Sequence, residues 1–600
     1  MGKKYSPVLL LFFGVTGLVN AQKFILPAVT VTASRIQSAM VSDLRESTVL
    51  NRGDVEKLPV QSVSELLGYL GQVEFSQRGT GGVQADLGVR GSSFEQVIVL
   101  VNGIRMNDPQ TGHHNSDLPV TLDEIERIEI LPGHGSSMYG PDAFGGVIHI
   151  ITRTPQGRGI MLRLNGGSFR TRGGGISATT RLGAWQHRFG YERSSSDGHR
   201  YDTDHVMNTA SLESRGRVFN KRLQTRVAVS TKDFGANGFY AAMPSWEATR
   251  AYTAQGGITW SENGRSRLQS RLSLRHHRDH FILTIENPDL YVNRQNTWSA
   301  ALETEWTGRI SSTVMGAAGV EIYGDALESP GLGDHQRRRL GVFGEAAKTF
   351  NGGVVLHGGL RLDGFDNRRT ELSPTVSLKY PVTSQFLLRG SVGRAFRAPS
   401  YTELYYHSPA NQGDVNLLPE SAWSFETGAV YKEQRWQIGL TGFSREESNR
   451  IDWIQLPREN AAKYWQAVNL GRLSLRGLSA QMQVTFCTAL GMKANYTAMT
   501  RRIKDKEAVI SKYSWAIPRH RGQLTLHWSP RPQWRISHVS RYLIRDDKSS
   551  LLLTDLRLVW RIMGFENSLN LKNIWDTDYE EIRGVPLPGR HFLLGTSYAF

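Results

Sequence analysis

Alternation of apolar and polar residues recurs along most of this chain, from about residue 160 to its end. The segment 265–277 shows the pattern most clearly, because its leucines stand at even-numbered positions and polar residues fill the odd-numbered positions. The leucines are Leu268, Leu272 and Leu274, and the opposite set is Arg265, Arg267, Gln269, Arg271, Ser273, Arg275 and His277. A period of two residues predicts β-strands with one apolar and one polar face.

Periodicity alone fits both a soluble sandwich and a transmembrane barrel, but three observations favour the barrel. The alternating segments continue for more than four hundred residues, which exceeds the usual size of a single sandwich. Several tryptophans lie at segment ends, where an aromatic girdle would be: Trp185, Trp260, Trp306, Trp436 and Trp560. An exported all-β chain can satisfy its backbone in lipid only by closing. Segments of this length predict an all-β barrel of about 22 antiparallel strands.

The region before the barrel has a different pattern. Ser62 and Glu65 form a capping box, and the apolar residues that follow occupy one helical face as far as Gly71. Residues 97–101 predict a buried strand, and Asn102-Gly103 predicts a tight turn into a second strand. We therefore predict a mixed α/β domain at 36–154, followed by the barrel at 155–600.

The two ends of the chain indicate export to a membrane. Lys3 and Lys4 precede an apolar stretch at 8–19, which predicts a signal peptide, residues 1–21, cleaved after Ala21. The last strand alternates and ends on Phe600. The single cysteine, Cys487, excludes an intramolecular disulfide. The formal charge of +16 does not indicate nucleic acid, because the arginines are scattered and the chain is exported; a basic surface beside anionic lipid fits it.

Residues 127–155 carry the most specific signal, two apolar strands around a glycine-dense segment. Its pattern is Glu129, Gly133, Ser137, Tyr139-Gly140, Ala143, Gly145-Gly146 and Ile151-Thr152. This run resembles the core of the plug domain of TonB-dependent outer-membrane receptors. Pro132, His134 and His149 depart from the family pattern. The resemblance implies that the α/β domain is a plug inside the lumen of a multi-pass barrel in the outer membrane.

Residues 29–35 resemble a TonB box, within a periplasmic segment at 22–35. The predicted TonB-binding residues are Val29, Thr30, Val31, Thr32, Ala33, Ser34 and Arg35. An extended peptide with small or β-branched residues can add to the edge of another sheet. The resemblance implies TonB, with its inner-membrane energising complex, as a partner. It implies energised import and no catalysis, and no enzyme motif such as GxSxG or HExxH is present.

Residues 99–107, the chain length and the last two strands resemble most closely the cobalamin receptor group, so cobalamin is the expected ligand. Ferric siderophore, haem and other metal-complex receptors share the architecture and stay as alternatives, as does a passive porin or adhesin of a different class. The resemblance assigns ligand contacts to two plug segments: Arg78, Thr80, Gln84, Asn107, Asp108, Gln110, Thr111, His113, His114 and Asn115. A surface lipoprotein lid is a further partner that the sequence leaves open.

No cofactor is expected, and no metal site is assigned. Two groups of residues are candidate metal or haem ligands: His113 with His114, and His276, His277 and His280 with Asp279. Polar loop residues are the alternative interpretation of both groups. Asp197, Asp202 and Asp204 offer the oxygen ligands that calcium prefers, against the alternative of a solvated loop.

Overall fold

Twenty-two antiparallel strands close into one barrel, which confirms the predicted fold class. The computed structural model describes residues 33–36, 39–366, 369–455, 464–503, 510–513 and 517–600. The predicted signal peptide and the residues Val29–Thr32 of the predicted TonB box lie outside the described residues. Antiparallel pairing of the last barrel strand with the first closes the cylinder.

The barrel strands have the following bounds: β8 Gly159–Gly167, β9 Thr171–Leu182, β10 Trp185–Ser196, β11 His205–Val218, β12 Lys221–Gly235, β13 Trp246–Asn263, β14 Ser266–Ile282, β15 Val292–Arg309, β16 Val314–Glu328, β17 His335–Thr349, β18 Val355–Phe365, β19 Thr370–Pro381, β20 Phe386–Arg397, β23 Glu420–Lys432, β24 Trp436–Gln455, β25 Trp465–Cys487, β26 Leu490–Ile503, β28 Pro518–Arg531, β29 Trp534–Arg545, β30 Ser550–Ile562, β31 Phe565–Lys572 and β34 His591–Ala599. Short strands in the loops are β21 His407–Ser408, β22 Asn411–Gln412, β27 Ile510–Ser511, β32 Tyr579–Glu580 and β33 Pro586–Leu587.

The alternation predicted for 265–277 is realised in β14. Leu272 and Leu274 are about half exposed on the outer face, whereas Arg275 and His277 are buried in the lumen. A polar lumen and an apolar outer face are the arrangement that lipid requires of a barrel. None of the helices in the described part of the chain has the length and apolar character of a transmembrane helix.

The barrel has two distinguishable rims. We call the rim where β8 begins and β34 ends the lower rim, and the opposite one the upper rim. All five tryptophans predicted for the girdle lie within three residues of a strand end at the lower rim: Trp185, Trp260, Trp306, Trp436 and Trp560. They therefore mark one interface of the apolar band rather than both.

A small mixed α/β domain fills the lumen. Its strands are β1 Thr48–Asn51, β2 Val73–Gln77, β3 Ala85–Val89, β4 Val97–Val101, β5 Ile104–Arg105, β6 Ile125–Pro132 and β7 Gly146–Thr152. Five form a sheet in the order β1-β6-β7-β4-β5, in which only β4 and β7 are parallel, and β2 pairs with β3. Buried valine, isoleucine and leucine side chains of these strands form its core.

The helices of the described residues are all short. The α-helices are α1 Arg52–Val55, α2 Val63–Gly68, α3 Ser136–Tyr139 and, near the upper rim, α4 Tyr401–Tyr405. The 3-10 helices are Ala39–Val41, Thr80–Gly82, Phe94–Gln96, Gly112–His114, Leu122–Glu124 and Asn351–Gly353. Ser62 caps α2 by accepting a hydrogen bond from the Glu65 amide, 3.1 Å, as the capping box predicts. The turn of α3 lies inside the glycine-dense run and packs beside β18, β19 and β20.

Gly145 holds the glycine-dense run against the preceding loop. Its amide donates to the Gln96 carbonyl, 2.7 Å, and a Cβ added there would overlap the Ser92 side chain. We expect Gly145→Ala to destabilise the plug by about 1–3 kcal/mol, because the well-packed neighbours must move. Hydrogen exchange of β6 and β7 measures this. Gly53→Ala, where nothing lies within 4 Å, is the matched control and should leave exchange unchanged or slowed; equal exchange in both variants would contradict this view of Gly145.

Candidate functional site

The two plug segments predicted to contact ligand, residues 77–84 and 106–115, lie toward the upper rim. The Gln77 amide donates to Glu581, 2.8 Å, in the loop between β31 and β34. The Gln84 side-chain amide donates to the Tyr240 hydroxyl, 2.5 Å, in the loop between β12 and β13. The upper loops therefore cover the same plug surface on which the sequence places the ligand contacts.

Three of the predicted contact residues have side chains that hold the plug together or fix it to the wall. Asn107 accepts a hydrogen bond from the Val99 amide, 2.8 Å. Asn115 accepts one from the Asp108 amide, 3.1 Å. The Asp108 carboxylate forms an ion pair with Arg275 of β14, 2.6 Å, and is fully buried. These side chains shape the segment 106–115, and a ligand would meet them only if they moved.

Other predicted contact residues keep acceptor atoms free. The buried side-chain oxygens of Thr80, Gln84 and Gln110 accept no hydrogen bond among the described residues. Thr111 caps the 3-10 helix Gly112–His114 by accepting from the His113 amide, 3.4 Å. Two amide oxygens and a hydroxyl near the upper loops are therefore available to a polar ligand that enters.

Four rings gather beside these acceptors, and we call Phe94, His113, Tyr240 and Tyr513 the aromatic set. Phe94 stacks on His113 with centroids 4.2 Å apart and meets Tyr513 edge-on at 5.1 Å. His113 approaches Tyr240 edge-on at 6.5 Å. Plug and barrel loops contribute two rings each, so the set joins them at the upper rim. The sequence predicts only His113 of these four.

Arg78 and His113 share one carboxylate. Asp86 accepts from Arg78, 3.0 Å, and from the His113 ring, 2.7 Å. Burial alone raises the pKa of Asp86, but the charges of Arg78 and then His113 outweigh it and lower the pKa to about 2. Asp86 is therefore ionised at neutral pH and keeps both predicted contact residues in fixed positions.

Glu95 contacts the segment 111–115. Its carboxyl group accepts a hydrogen bond from the Gly112 amide, 2.8 Å. Burial, followed by the nearby charge of Glu403, raises the pKa of Glu95 to about 8 from its ordinary value near 4.5. A raised carboxyl pKa means that its stabilising contribution is complete below pH 4.5 and is lost as the pH rises through 8.

We therefore expect the segment 111–115 to exchange its amides faster as the pH rises from 5 to 9, beyond the intrinsic pH effect on exchange. Glu95→Gln cannot ionise, so its protection factors should stay constant over the same range. Hydrogen exchange at several pH values measures both proteins. Parallel pH profiles of protection in the wild type and in Glu95→Gln would contradict the assignment.

In the structure, the histidines of each candidate group point in different directions. His113 faces Asp86, whereas His114 points toward β14 and lies beside His277, with ring centroids 4.6 Å apart. His276 and His280 belong to β14 and not to a loop, so they share the parity of the outer-facing leucines and lie on the opposite side of the wall from His277. Burial lowers the pKa of His114, but hydrogen bonding and charge from Asp279 and then Asp117 raise it to about 10.

The candidate calcium ligands Asp197, Asp202 and Asp204 lie in the upper loop between β10 and β11. Asp197 is exposed and forms an ion pair with Arg170, 3.1 Å. Burial and then the charge of Asp204 raise the pKa of Asp202 to about 6. Within the described ranges, two groups of three potential metal ligands occur, and neither includes these residues.

The end of the predicted TonB box lies deep in the lumen. Ser34 donates to Glu345, 2.9 Å, and Arg35 forms ion pairs with Glu303 and Glu305 of β15, both 3.0 Å. Arg35 also donates to the Met138 carbonyl of α3, 2.8 Å. Burial alone lowers the pKa of Arg35, but the two glutamates outweigh it and raise the pKa. Arg35 therefore links the segment to the wall and to the glycine-dense run.

A cavity of about 840 Å³ opens beside Arg35 between the plug and strands β11 to β15. Its charged lining is predominantly basic. The arginines are Arg35, Arg127, Arg153, Arg215, Arg222, Arg226, Arg267 and Arg271, and the glutamates are Glu126, Glu129 and Glu305. His149, one of the departures from the family pattern, also lines it. The lower half of the lumen therefore contains a cavity lined by many arginines, most of which form ion pairs with glutamates.

A buried ion cluster joins the plug to β23 and was not predicted as a unit. Glu426 accepts from Arg45, 2.6 Å, and from Arg90, 2.9 Å, and Arg90 also forms an ion pair with Glu46, 2.6 Å. The sequence does not predict that Arg45 or Arg90 meets Glu426. The partners are more than 330 residues away along the chain, so no local pattern pairs them.

Two departures from the family pattern meet this cluster. Arg45 donates to the carbonyls of Pro132, 2.8 Å, and His134. The His134 ring contacts Thr375 of β19, 3.1 Å. Burial, and then the charge of Arg45, lowers the pKa of His134, so this ring is neutral. The start of the glycine-dense run is thus linked to the wall through Arg45, which binds its backbone carbonyls. Any residue at positions 132 and 134 would supply these carbonyls, so the two departures from the family pattern leave this contact in place.

Comparison with known proteins gives consistent results. The TonB-dependent receptor plug domain matches residues 41–147, and the TonB-dependent receptor-like β-barrel matches residues 153–574. The chain is 24% identical to the vitamin B12 transporter BtuB of Vibrio cholerae serotype O1, over 95% of each protein. Among solved structures, it is similar to the FrpB iron transporter from Neisseria meningitidis, with 14% identity and a TM-score of 0.76, covering 92% of this chain and 99% of the other.

It is also similar to the copper transporter OprC, with 14% identity and a TM-score of 0.80 over the same shares of the two chains. At these identities the solved structures establish the fold alone, whereas the barrel family covers well over half of the chain. The protein belongs to the TonB-dependent receptor family, as a plugged multi-pass β-barrel of the outer membrane.

Proposed function

We propose that this receptor imports a cobalamin-class ligand across the outer membrane with energy supplied through TonB. The observation that carries the choice of ligand is the similarity to a vitamin B12 transporter, which covers 95% of both chains. The lower rim faces the periplasm in this proposal, because Ser34 and Arg35, at the described end of the predicted TonB box, line the cavity in the lower half of the lumen.

The chemistry of the upper rim supports a large amide-bearing ligand. Cobalamin is a planar macrocycle with amide side chains, which donate hydrogen bonds. The unpaired oxygens of Gln84 and Gln110 are acceptors for such groups. The aromatic set offers ring faces and edges for apolar contact with a macrocycle.

TonB supplies the energy for transport by pulling on residues 29–35. TonB adds this segment to its own sheet and pulls, and the first contacts to break are those of Ser34 and Arg35 with the wall. Because Arg35 also holds the Met138 carbonyl, force on the box is transmitted directly to α3 and the glycine-dense run. Movement there enlarges the basic cavity into a passage.

The basic lining supports cargo with an anionic group. The guanidinium groups of this lining can donate hydrogen bonds to a phosphodiester, such as the one in cobalamin, as the ligand passes the plug. The same lining suits ferric siderophores that carry carboxylates or catecholates. An iron complex is therefore the second candidate, favoured by the aromatic set and the basic cavity together.

Competition binding to purified receptor in detergent tests the ligand. Cyanocobalamin, haem and a ferric catecholate siderophore are each titrated, with tryptophan fluorescence as the signal. We expect saturable binding of cyanocobalamin that the other two compounds do not displace. Gln84→Ala should weaken it by about 10-fold, because a buried acceptor is lost. Tight binding of haem or the siderophore with none of cobalamin would overturn this choice of ligand and leave energised import standing.

A further inference from the structure

A group of charged side chains outside the upper ligand surface joins the plug to strands β13 and β14. Glu247 of β13 and Asp279 of β14 face the lumen. These two strands pair with each other, and Thr249 of β13 lies opposite Asp279. His114 of the plug reaches them, with its Nε2 atom 3.7 Å from Asp279 Oδ2. One potential ligand atom from each of His114, Glu247 and Asp279 lies within 4.8 Å of the others, and all three residues are buried.

The other face of His114 belongs to a group that already has its charges compensated. His114 Nδ1 lies 3.7 Å from Asp117. Asp117 forms an ion pair with Lys232, 2.8 Å, and accepts from His277, 2.9 Å. Lys232 therefore compensates the charge of Asp117, which also accepts a hydrogen bond from His277, and this group needs no further cation. It holds the His114 ring in place from behind.

Among the residues that the structure describes, Glu247 and Asp279 have no lysine or arginine partner, and His114 beside Asp279 supplies at most one positive charge for the two carboxylates. Glu247 is 2% exposed and accepts only from the neutral Tyr240 hydroxyl, 2.6 Å. Asp279 is 8% exposed, and its Oδ1 atom has no hydrogen-bond partner in the described part of the chain. Two buried carboxylates side by side are costly unless a cation lies between them.

We propose that His114, Glu247 and Asp279 bind one divalent transition-metal ion of the zinc class, which fastens the plug to the barrel wall. One imidazole nitrogen with two carboxylate oxygens is a donor set for such ions, whereas calcium and magnesium take oxygen ligands. Ligand atoms around a zinc ion lie roughly 3 to 4 Å apart, so small side-chain adjustments bring these three into place.

The surrounding contacts fit the requirements of a metal site. Asp117 faces His114 Nδ1 and so leaves Nε2 as the coordinating nitrogen, which is the usual role of a carboxylate behind a histidine ligand. The Tyr240 hydroxyl holds Glu247 by the same kind of contact. The site is enclosed between the plug and the wall, so the ion has a structural role and is not cargo. The site therefore does not depend on which ligand the receptor imports.

Metal binding to the full-length receptor in detergent tests the proposal. After treatment with EDTA, the protein is dialysed against Zn²⁺ and its bound metal is measured by elemental analysis. We expect about one ion per chain in the wild type, with loss of at least roughly 100-fold in affinity for Glu247→Gln/Asp279→Asn. His280→Ala, which removes a histidine on the outer face of β14, is the matched control and should keep wild-type binding.

Two further measurements keep the result interpretable. Heat-modifiable migration on gels establishes that each variant barrel is folded, so loss of metal cannot be attributed to loss of the barrel. Zn²⁺ should also slow amide exchange of the segment 111–117 in the wild type and not in the double variant. Substoichiometric zinc in the folded wild type, or wild-type stoichiometry in the folded double variant, would overturn the proposal.

Discussion

Deleting residues 29–35 is expected to leave ligand binding at the cell surface intact and to abolish uptake. The upper-rim residues that would meet ligand do not contact Ser34 or Arg35, whose partners are Glu303, Glu305, Glu345 and Met138. Binding therefore keeps its surface, while TonB loses the peptide on which it pulls. The measurement is binding and accumulation of labelled cobalamin in the same cells, at temperatures that separate the two.

A pair of substitutions sharpens this result. Val31→Pro removes a backbone donor that an added strand needs, whereas Val31→Ala keeps it. We expect uptake to fall to the level of the deletion in the proline variant and to stay within about 2-fold of wild type in the alanine variant, because the pairing uses main-chain groups. Wild-type uptake by the deletion variant would mean that the segment is not a TonB box.

Replacing Glu426 by alanine should weaken the attachment of the plug to the barrel wall. Arg45 and Arg90 would lose their shared carboxylate while they remain 2% and 6% exposed. Breaking a buried pair by removing one partner costs about 3–5 kcal/mol, since an uncompensated charge is left behind. We expect faster amide exchange and protease cleavage within the plug, and cells that admit large antibiotics.

The matched control is Glu371→Ala, which removes the partner of Arg394 near the upper rim. That pair is about one-fifth exposed, so solvent replaces the lost contact and the expected cost is about 1 kcal/mol or less. Folded barrel in both variants is checked by gel migration. If the plug resists amide exchange and proteolysis equally well in the Glu426→Ala and Glu371→Ala receptors, the ion cluster does not hold the plug in place.

Strand patterning and the glycine-dense run were sufficient to predict the plugged barrel. The alternation in 265–277 assigns odd-numbered residues to the lumen. If the same alternation is extended to residue 280, it places His277 and Asp279 in the lumen and His276 and His280 on the outer face. The helix cap at Ser62 and the turn at Asn102-Gly103 are local signals, and both are present, with positive φ angles at Asn102 and Gly103.

Contacts between the plug and the wall could not be predicted in the same way. Arg45 meets Glu426, and His114 meets Asp279, only after the plug has entered the lumen in one orientation. Neither pairing follows from sequence spacing, because each joins a loop to a strand far along the chain. Tyr240 and Tyr513 of the aromatic set likewise come from barrel loops that carry no motif.

Uptake of labelled cyanocobalamin by cells in which this chain is the only cobalamin receptor tests the central claim most directly. The strain is compared with an otherwise identical one that lacks TonB, and surface binding is measured in both. We predict equal binding in the two strains and accumulation only where TonB is present. Equal accumulation in the strain without TonB would contradict energised import by this receptor.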